Sequence, residues 1–164
     1  MKKNKYKLII FDADDTLRYC TVAGQPCPNK PGEWELLTNV KAKLSEFEWG
    51  SPQEDKIGYG IASNQGGVGV GYFSAEMAFS LLKDTFVAAF GFYPPEEVIQ
   101  LCTPRPEEAP ECRKPKPGML RKIMSYWQVQ PQDTLFVGDL NSDKQTAENA
   151  GCDFIWAKEF FSLS

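Results

Sequence analysis

Five short apolar runs are spread along the chain, and each is rich in aliphatic or aromatic residues. Short runs of this kind are typical of strands in a sheet that is covered on both faces. They predict strands at residues 6–11, 56–62, 98–102, 134–137 and 153–157.

The segments between these runs place apolar residues three or four positions apart, which is the spacing of an amphipathic helix. They predict helices at residues 33–48, 74–90 and 117–127. A fourth helix at residues 141–151 is predicted by its end signals, Asn141 or Ser142 as the cap and Gly151 as the stop. Strands that alternate with helices form a parallel sheet through right-handed crossovers. The predicted fold class is therefore α/β, with a central five-stranded parallel sheet and helices on both faces.

Length and charge limit what the chain can be. Its 164 residues predict one domain, residues 1–164, without room for a large cap. The net charge of −4 gives no general field for nucleic acid, and the basic residues Lys2, Lys3, Lys5 and Lys7 fit a solvated terminal arm. No apolar run reaches the ~20 residues of a membrane span, and no apolar signal core follows the first residues. We expect a soluble cytoplasmic protein that is a monomer.

The chain contains no histidine, which excludes Ser-His-Asp and Cys-His hydrolysis, histidine metal ligands and histidine general bases. Its five cysteines are odd in number and show no tight paired spacing, so we expect reduced thiols rather than a disulfide framework. Any chemistry must use carboxylates, hydroxyls, lysine and arginine.

Carboxylates follow two of the predicted strands. Asp12, Asp14 and Asp15 come directly after the first strand, and Asp139 and Asp143 follow the fourth. Clustered carboxylates repel one another, and a cation bound by oxygen ligands offsets the repulsion. Taken alone, the first cluster also fits an acidic cap on a turn. If the two strands are neighbours, however, both clusters meet at the carboxyl edge of the sheet, where α/β proteins bind ligands.

Two further segments could bind phosphate. The glycine-rich residues 66–71 follow the second strand, but they match no standard nucleotide-binding motif and also fit a flexible loop. The basic residues Arg113, Lys114 and Lys116 precede a helix, where free N–H groups favour an anion. A solvated basic loop explains that segment equally well.

Taken in order, FDADDTL, ASN, RKP and FVGDLNSD resemble the four motifs of the haloacid dehalogenase-like (HAD) phosphatases. The resemblance covers nearly the whole chain and implies a Rossmannoid three-layer sandwich without a large cap. SNQGG, CRKPKPGM and FVGD are similar to subfamily IIIA, the branch of histidinol-phosphate, heptose-bisphosphate and polynucleotide 3′-phosphatases.

The resemblance implies a role for each matching residue. Asp12 would be the nucleophile that forms an aspartyl-phosphate, and Asp14 the general acid and then the general base. Mg²⁺ would be held by Asp12, the backbone carbonyl of Asp14 and Asp139. Lys114 would bind the phosphoryl group. The remaining implied site residues are Ser63 for the phosphoryl group, Asn64 and Arg113 beside the substrate, and Asp143 and Thr16 in support.

The chain departs from the family pattern at several positions. Asp15 stands where the first motif usually has glycine, and Ala13 where sugar phosphatases often have arginine. Residues 102–113 resemble a degenerate zinc loop in which Cys102 and Cys112 remain. Prolines occupy the other two ligand positions, so we expect no structural Zn²⁺. Residues 18–32 form a loop or small hairpin, similar to the family's flap, that would partly cover the site.

These observations favour a Mg²⁺-dependent phosphomonoesterase that acts on a small phosphorylated metabolite, in the class of sugar phosphates or bisphosphates. One alternative is a polynucleotide 3′-phosphatase, which the acidic residues Glu107, Glu108 and Glu111 disfavour. Others are a phospho-accepting receiver domain or a catalytically silent binding module. In receiver domains, however, the acidic pair and the phosphorylated aspartate lie on different strands.

Overall fold

A computed structural model describes residues 5–162 and contains a five-stranded, fully parallel sheet in the order β5-β4-β1-β6-β7. The strands are β1 (Leu8–Phe11), β4 (Gly58–Asn64), β5 (Ile99–Cys102), β6 (Thr134–Gly138) and β7 (Asp153–Trp156). All five predicted strands are confirmed, although their ends shift by one or two residues.

The sheet is covered on both faces. Every residue of β1 and β6 is buried, and successive side chains of a strand point to opposite faces. The principal helices are α2 (Ala75–Phe90), α3 (Gly118–Trp127) and α4 (Asn141–Ala150), followed by the short α5 (Ala157–Phe160). The helix α3 packs on β1, β4 and β5, whereas α4 packs on β6 and β7. The α/β class and the layered sandwich are thus confirmed.

The predicted helix at residues 33–48 is wrong. Its first part is a strand, β3 (Trp34–Leu36), which pairs antiparallel with β2 (Arg18–Cys20), and only α1 (Val40–Leu44) is helical. Asn39, just before α1, has a φ of 72°, a left-handed conformation that a continuous helix does not allow. The apolar spacing nevertheless predicted burial correctly, because Val40 and Leu44 lie in the core. Tertiary pairing with β2 overrides the local helical pattern.

The helix ends follow their sequence signals in two cases. Ser74 accepts a hydrogen bond from the Met77 N–H and caps α2, and Gly151 ends α4 in a left-handed conformation. The cap predicted for α4 is wrong, since Leu140 precedes the helix and Asp143 accepts the Leu140 N–H at 3.1 Å. Asp143 therefore stabilises the start of α4.

The expectation of reduced thiols is wrong for one pair, because Cys102 and Cys112 form a disulfide, with Cα atoms 5.4 Å apart. The intervening loop leaves β5 and returns beside it, which sequence spacing alone does not show. Because both thiols are oxidised to the disulfide, neither cysteine is a free zinc ligand.

We predict that elemental analysis of the purified protein gives well under one zinc per chain. One zinc per chain that is lost on replacing Cys102 would contradict this.

Of the terminal basic residues, Lys5 and Lys7 lie at the other end of the sheet from the clustered carboxylates. Lys5 pairs with Asp153 and Lys7 with Asp133, at the amino ends of β7 and β6. Lys2 and Lys3 lie outside the described residues. In the part of the chain that the structure describes, no helix is both long enough and apolar enough to cross a membrane.

Candidate active site

The carboxyl ends of β1, β4 and β6 open into one cavity of about 1080 Å³. Since β1 lies between β4 and β6, the residues that follow all three strands are brought together. The cavity is lined by all but one of the residues to which the family resemblance assigns a role, namely Asp12, Asp14, Ser63, Asn64, Arg113, Lys114, Asp139 and Asp143. The remaining one, Thr16, is buried, and its hydroxyl contacts Asp12 and Asp139.

Lys114 lies at the centre of the site and is 6% exposed. Its ammonium group donates to Asp12 Oδ1 and to Asp143 Oδ1, both at 2.7 Å, and to the Ala62 carbonyl at 3.1 Å. Burial by itself lowers the pKa of this lysine, but the two carboxylates outweigh burial and raise the pKa above its ordinary value. The ammonium is therefore held charged beside Asp12.

Three carboxylates lie close together, and two of them, Asp12 and Asp143, bind this ammonium. Asp12, Asp139 and Asp143 each place an oxygen within 4.8 Å of the others. Thr16 Oγ1 lies 3.2 Å from Asp12 Oδ2 and 3.5 Å from Asp139 Oδ1, so its hydroxyl lies between the carboxylates of Asp12 and Asp139. Burial, a hydrogen bond with Asp12 and the charges of its neighbours raise the pKa of Asp139 to about 8. The cluster holds more negative charge than its own residues neutralise.

Asp143 is fixed by its second oxygen. Oδ2 accepts the backbone N–H groups of Asp139 and Leu140, both at 3.1 Å, while Oδ1 faces Lys114. The carboxylate comes so close to β6 that a Cβ at Gly138 would lie 2.6 Å from Oδ2. Only glycine fits at that position. Asp143 thus orients Lys114 and the turn that carries Asp139.

The turn after β1 keeps its shape without the usual glycine. Asp15 has a φ of 63°, a left-handed conformation that glycine favours and aspartate tolerates. The Ala13 carbonyl accepts the N–H groups of Thr16, Leu17 and Arg18, and this closes the turn. The Asp15 side chain is largely exposed at the cavity. Its partial burial and then the charges of Asp14 and Asp12 raise its pKa. The departure therefore adds an acid at the rim.

The second and third motifs are joined by Asn64. Asn64 Oδ1 accepts a hydrogen bond from the backbone N–H of Lys114 at 3.1 Å. The Asn64 side chain therefore orders the loop that carries Lys114 and Arg113. Ser63 is buried, and its Oγ accepts from Gln65 Nε2 at 2.8 Å. Lys116 does not share the cavity with Lys114, because its ammonium donates to the Ala109 carbonyl at 2.6 Å. It is a loop residue and not part of the site.

Sequence reasoning missed two residues, Arg18 and Gln65. Arg18 Nε donates to Asp14 Oδ1 at 2.8 Å, and Gln65 Nε2 donates to Asp14 Oδ2 at 3.0 Å. A basic residue four positions after Asp14 was a signal that the sequence offered, as was a glutamine two positions after Ser63. Arg18 lies one residue beyond FDADDTL, and Gln65 lies within SNQGG, but the resemblance assigned neither of them a role.

The match with known proteins agrees with this geometry. The HAD-hydrolase-like family model matches residues 111–159. A D-glycero-β-D-manno-heptose-1,7-bisphosphate 7-phosphatase from Pseudomonas putida is 30% identical over 161 residues, which cover 93% of this chain and 82% of that protein. The chain belongs to the HAD phosphatases.

Other relatives of this HAD phosphatase lie in the branch that the motifs indicated. The histidine biosynthesis bifunctional protein HisB of Legionella pneumophila is 30% identical over 91% of this chain and 40% of that protein. The structure of a heptose 1,7-bisphosphate phosphatase from Bordetella bronchiseptica, solved with magnesium and phosphate, has a TM-score of 0.71. It is 27% identical and aligns over 90% of this chain and 78% of its own. Membership of the family confirms that the chain is a hydrolase of the phosphatase type.

The crowded carboxylates predict an unusual pH dependence for the metal-free protein. Asp139 has a pKa of about 8 when folded and an ordinary value of 3.8, so the folded state holds a proton that the unfolded state releases. The free energy of unfolding should therefore fall as pH rises from about 4 to about 8. Denaturant unfolding of metal-free wild type and Asp139→Asn across this range measures it. The difference in free energy of unfolding between the variant and wild type should grow as pH rises. A difference that stays constant across this pH range would contradict the prediction.

Proposed function

We propose that this chain is a Mg²⁺-dependent phosphomonoesterase that acts through an aspartyl-phosphate on Asp12. The observation that carries the proposal is the placement of the Asp12 carboxylate, with Lys114 at 2.7 Å and a second acid, Asp14, on the same turn and in the same cavity. A nucleophile, a fixed cation and a proton donor are the parts that phosphoryl transfer needs.

The residues present fit a divalent cation. Three carboxylate oxygens lie within 4.8 Å of one another. Burial, the hydrogen bond with Asp12 and then the charges of Asp12 and Asp143 raise the pKa of Asp139, and a bound cation would lower it again. Asp12, Asp139 and the backbone carbonyl of Asp14 would hold Mg²⁺, because Asp143 already uses both oxygens on Lys114 and on backbone N–H groups. Once bound, the ion would neutralise charge on the transferring phosphoryl group.

The remaining steps use this chain's own groups. An Asp12 oxygen attacks phosphorus while the bond to the leaving alcohol breaks, and Asp14 gives that alcohol its proton. Asp14 then takes a proton from the water that hydrolyses the aspartyl-phosphate, which releases phosphate and restores Asp12. Lys114 faces the phosphoryl oxygens. Because Ser63 Oγ accepts from Gln65, its own hydroxyl hydrogen is free to donate to the phosphoryl group.

For the substrate we infer a small phosphorylated metabolite of the sugar phosphate or bisphosphate class. The named activity of the Pseudomonas and Bordetella relatives supports this class. The cavity of about 1080 Å³ has room for such a molecule, and Arg113 is available for a second phosphate. Exposed apolar side chains line the rim and suit a carbon skeleton, in particular Val22, Val70, Tyr72 and Leu140.

The nucleic-acid alternative has less support. Among the described residues that line the cavity, Lys114 and Arg113 are the cations, and Asp15 and Glu107 lie at the rim. Arg105 pairs with Glu107, and Lys116 with Glu111, so the flanking basic residues are already compensated. A polynucleotide needs an uncompensated basic track that leads to the site.

A metal and substrate panel tests the proposal. Exhaustive chelation should abolish turnover, and Mg²⁺ should restore it; undiminished activity without metal would end the assignment. With Mg²⁺, we expect kcat/KM for small sugar phosphates and bisphosphates to exceed that for a 3′-phosphorylated oligonucleotide by at least about tenfold. A preference for the oligonucleotide that fades steeply with added salt would favour end repair instead.

A further inference from the structure

Arg18 is the largest fully buried side chain among the described residues, with 0% exposure. An arginine is almost never buried completely unless its charge is paired. Its guanidinium contacts Asp14, Leu81 and Thr85 rather than the carboxylates that bind Lys114. Its burial needs an explanation beyond packing.

The contacts of Arg18 join the catalytic turn to a helix. Nε donates to Asp14 Oδ1 at 2.8 Å, while Nη1 donates to the Leu81 carbonyl at 3.1 Å and to Thr85 Oγ1 at 2.9 Å. Thr85 is itself fixed, since its hydroxyl lies 2.8 Å from the Leu81 carbonyl. The planar guanidinium thus transmits the position of α2 to one oxygen of Asp14.

Gln65 holds the other oxygen. Its Nε2 donates to Asp14 Oδ2 at 3.0 Å and to Ser63 Oγ at 2.8 Å, and its backbone N–H is anchored on the Cys102 carbonyl at 2.8 Å. Its Oε1 is buried and has no partner among the described residues. A buried acceptor without a partner costs free energy that an apolar side chain of the same size would not. Stability alone therefore does not explain a glutamine here.

We propose that Arg18 and Gln65 are positioning residues that together fix the orientation of the Asp14 carboxylate towards the leaving oxygen and the attacking water. This rests on the proposed function, because it takes Asp14 as the group that moves protons. Asp14 is partly exposed and would otherwise rotate about its side-chain torsions. Proton transfer needs heavy atoms within about 2.6–3.2 Å of each other in the right direction, so loss of either contact should slow it.

The leaving group separates this role from a structural one. With p-nitrophenyl phosphate, the Asp12–phosphorus bond forms as the phosphorus–oxygen bond to nitrophenolate breaks, and this stable anion leaves without taking a proton. Hydrolysis of the aspartyl-phosphate still requires a base to accept the proton of water. A variant with a misplaced Asp14 should therefore release about one equivalent of nitrophenolate in a fast burst and then turn over slowly.

The experiment compares Arg18→Met, Arg18→Lys and Gln65→Met with Asp14→Asn, using the Mg²⁺-loaded full chain. We expect Arg18→Met and Gln65→Met to lower kcat for a sugar phosphate by about 10- to 100-fold, with KM within about threefold, and to show the burst. Arg18→Lys should recover part of the loss, since it keeps the charge but not the fork. Ile123→Val, a core change on α3, which supplies neither of the residues that bond to Asp14, is the control and should keep kcat within about threefold.

The results distinguish the positioning role of Arg18 and Gln65 from the proposed role of Asp14 in proton transfer. If Arg18→Met and Gln65→Met keep wild-type kcat while Asp14→Asn loses activity, the positioning role is overturned and the proposed function stands. Loss of activity without a burst would also overturn it, as would an equal kinetic loss in Ile123→Val. If Asp14→Asn itself stays active, the assignment of Asp14 fails first. Should Arg18→Met not fold, Gln65→Met decides alone, because it leaves no buried charge unpaired.

Discussion

Replacing Asp12 with Asn is expected to lower kcat/KM by at least about 10⁴-fold while leaving the fold intact. The amide has nearly the same shape, but it is a poor nucleophile towards phosphorus. It also removes one negative charge from the group that contains Asp139 and Asp143, which relieves part of their repulsion. Its amide oxygen can still accept the hydrogen bond from Lys114, whose charge Asp143 continues to offset, so the metal-free variant should unfold at the same temperature as wild type or above it.

Steady-state kinetics with Mg²⁺ and thermal unfolding without it measure the two effects. Asp153→Asn is a matched control, because Asp153 bonds to Tyr6 and Lys5 at the amino edge of the sheet, away from the cavity. It should keep activity within about threefold of wild type. An Asp12→Asn variant with activity within about tenfold of wild type would remove Asp12 from the role of nucleophile.

Replacing Lys114 with Met is expected to reduce both activity and stability. The ammonium makes three hydrogen bonds, and its loss leaves the carboxylates of Asp12 and Asp143 buried without their cation. Breaking a buried pair by removing one partner costs about 3–5 kcal/mol. In the proposed mechanism this charge binds the phosphoryl oxygens, so its loss should lower kcat by about 10³-fold.

The double variant Lys114→Met/Asp143→Asn separates these effects. It removes one of the two stranded charges, so part of the stability should return while activity remains lost. Lys116→Met is the control, since Lys116 contacts the Ala109 carbonyl outside the cavity and should change stability by less than about 0.5 kcal/mol. Equal stability of Lys114→Met and wild type in denaturant would show that the lysine does not hold the cluster together.

The sequence predicts the sheet and the meeting of its strand ends well, for a physical reason. Strands buried on both faces form continuous apolar runs, and the residues at their carboxyl ends are brought together by topology rather than by fine packing. Asp12 and Asp139, 127 residues apart in sequence, needed only the neighbouring positions of β1 and β6. The motifs of the family added the roles of single residues.

The residues that sequence reasoning missed depend on tertiary contacts. Trp34 to Leu36 pair with β2 instead of extending a helix, and the Cys102–Cys112 disulfide depends on the path of a loop. Arg18 is an ordinary polar residue in the sequence until α2 provides the Leu81 carbonyl and Thr85 for its guanidinium. Such contacts come from elements far apart in the chain, and periodicity does not report them.

Arg18 is also the first residue of β2, the strand that leads into the hairpin over the cavity. The base of this hairpin is held by α2 and by the Leu37 N–H on the Leu17 carbonyl, whereas the exposed Val22, Ala23 and Gly24 line the cavity from its tip. The anchored base and the open tip form two mutational zones. We expect a library restricted to the tip to change substrate preference while Asp14, which Arg18 holds from the base, keeps its orientation. The hairpin tip is therefore the natural target for evolving this phosphatase in the laboratory.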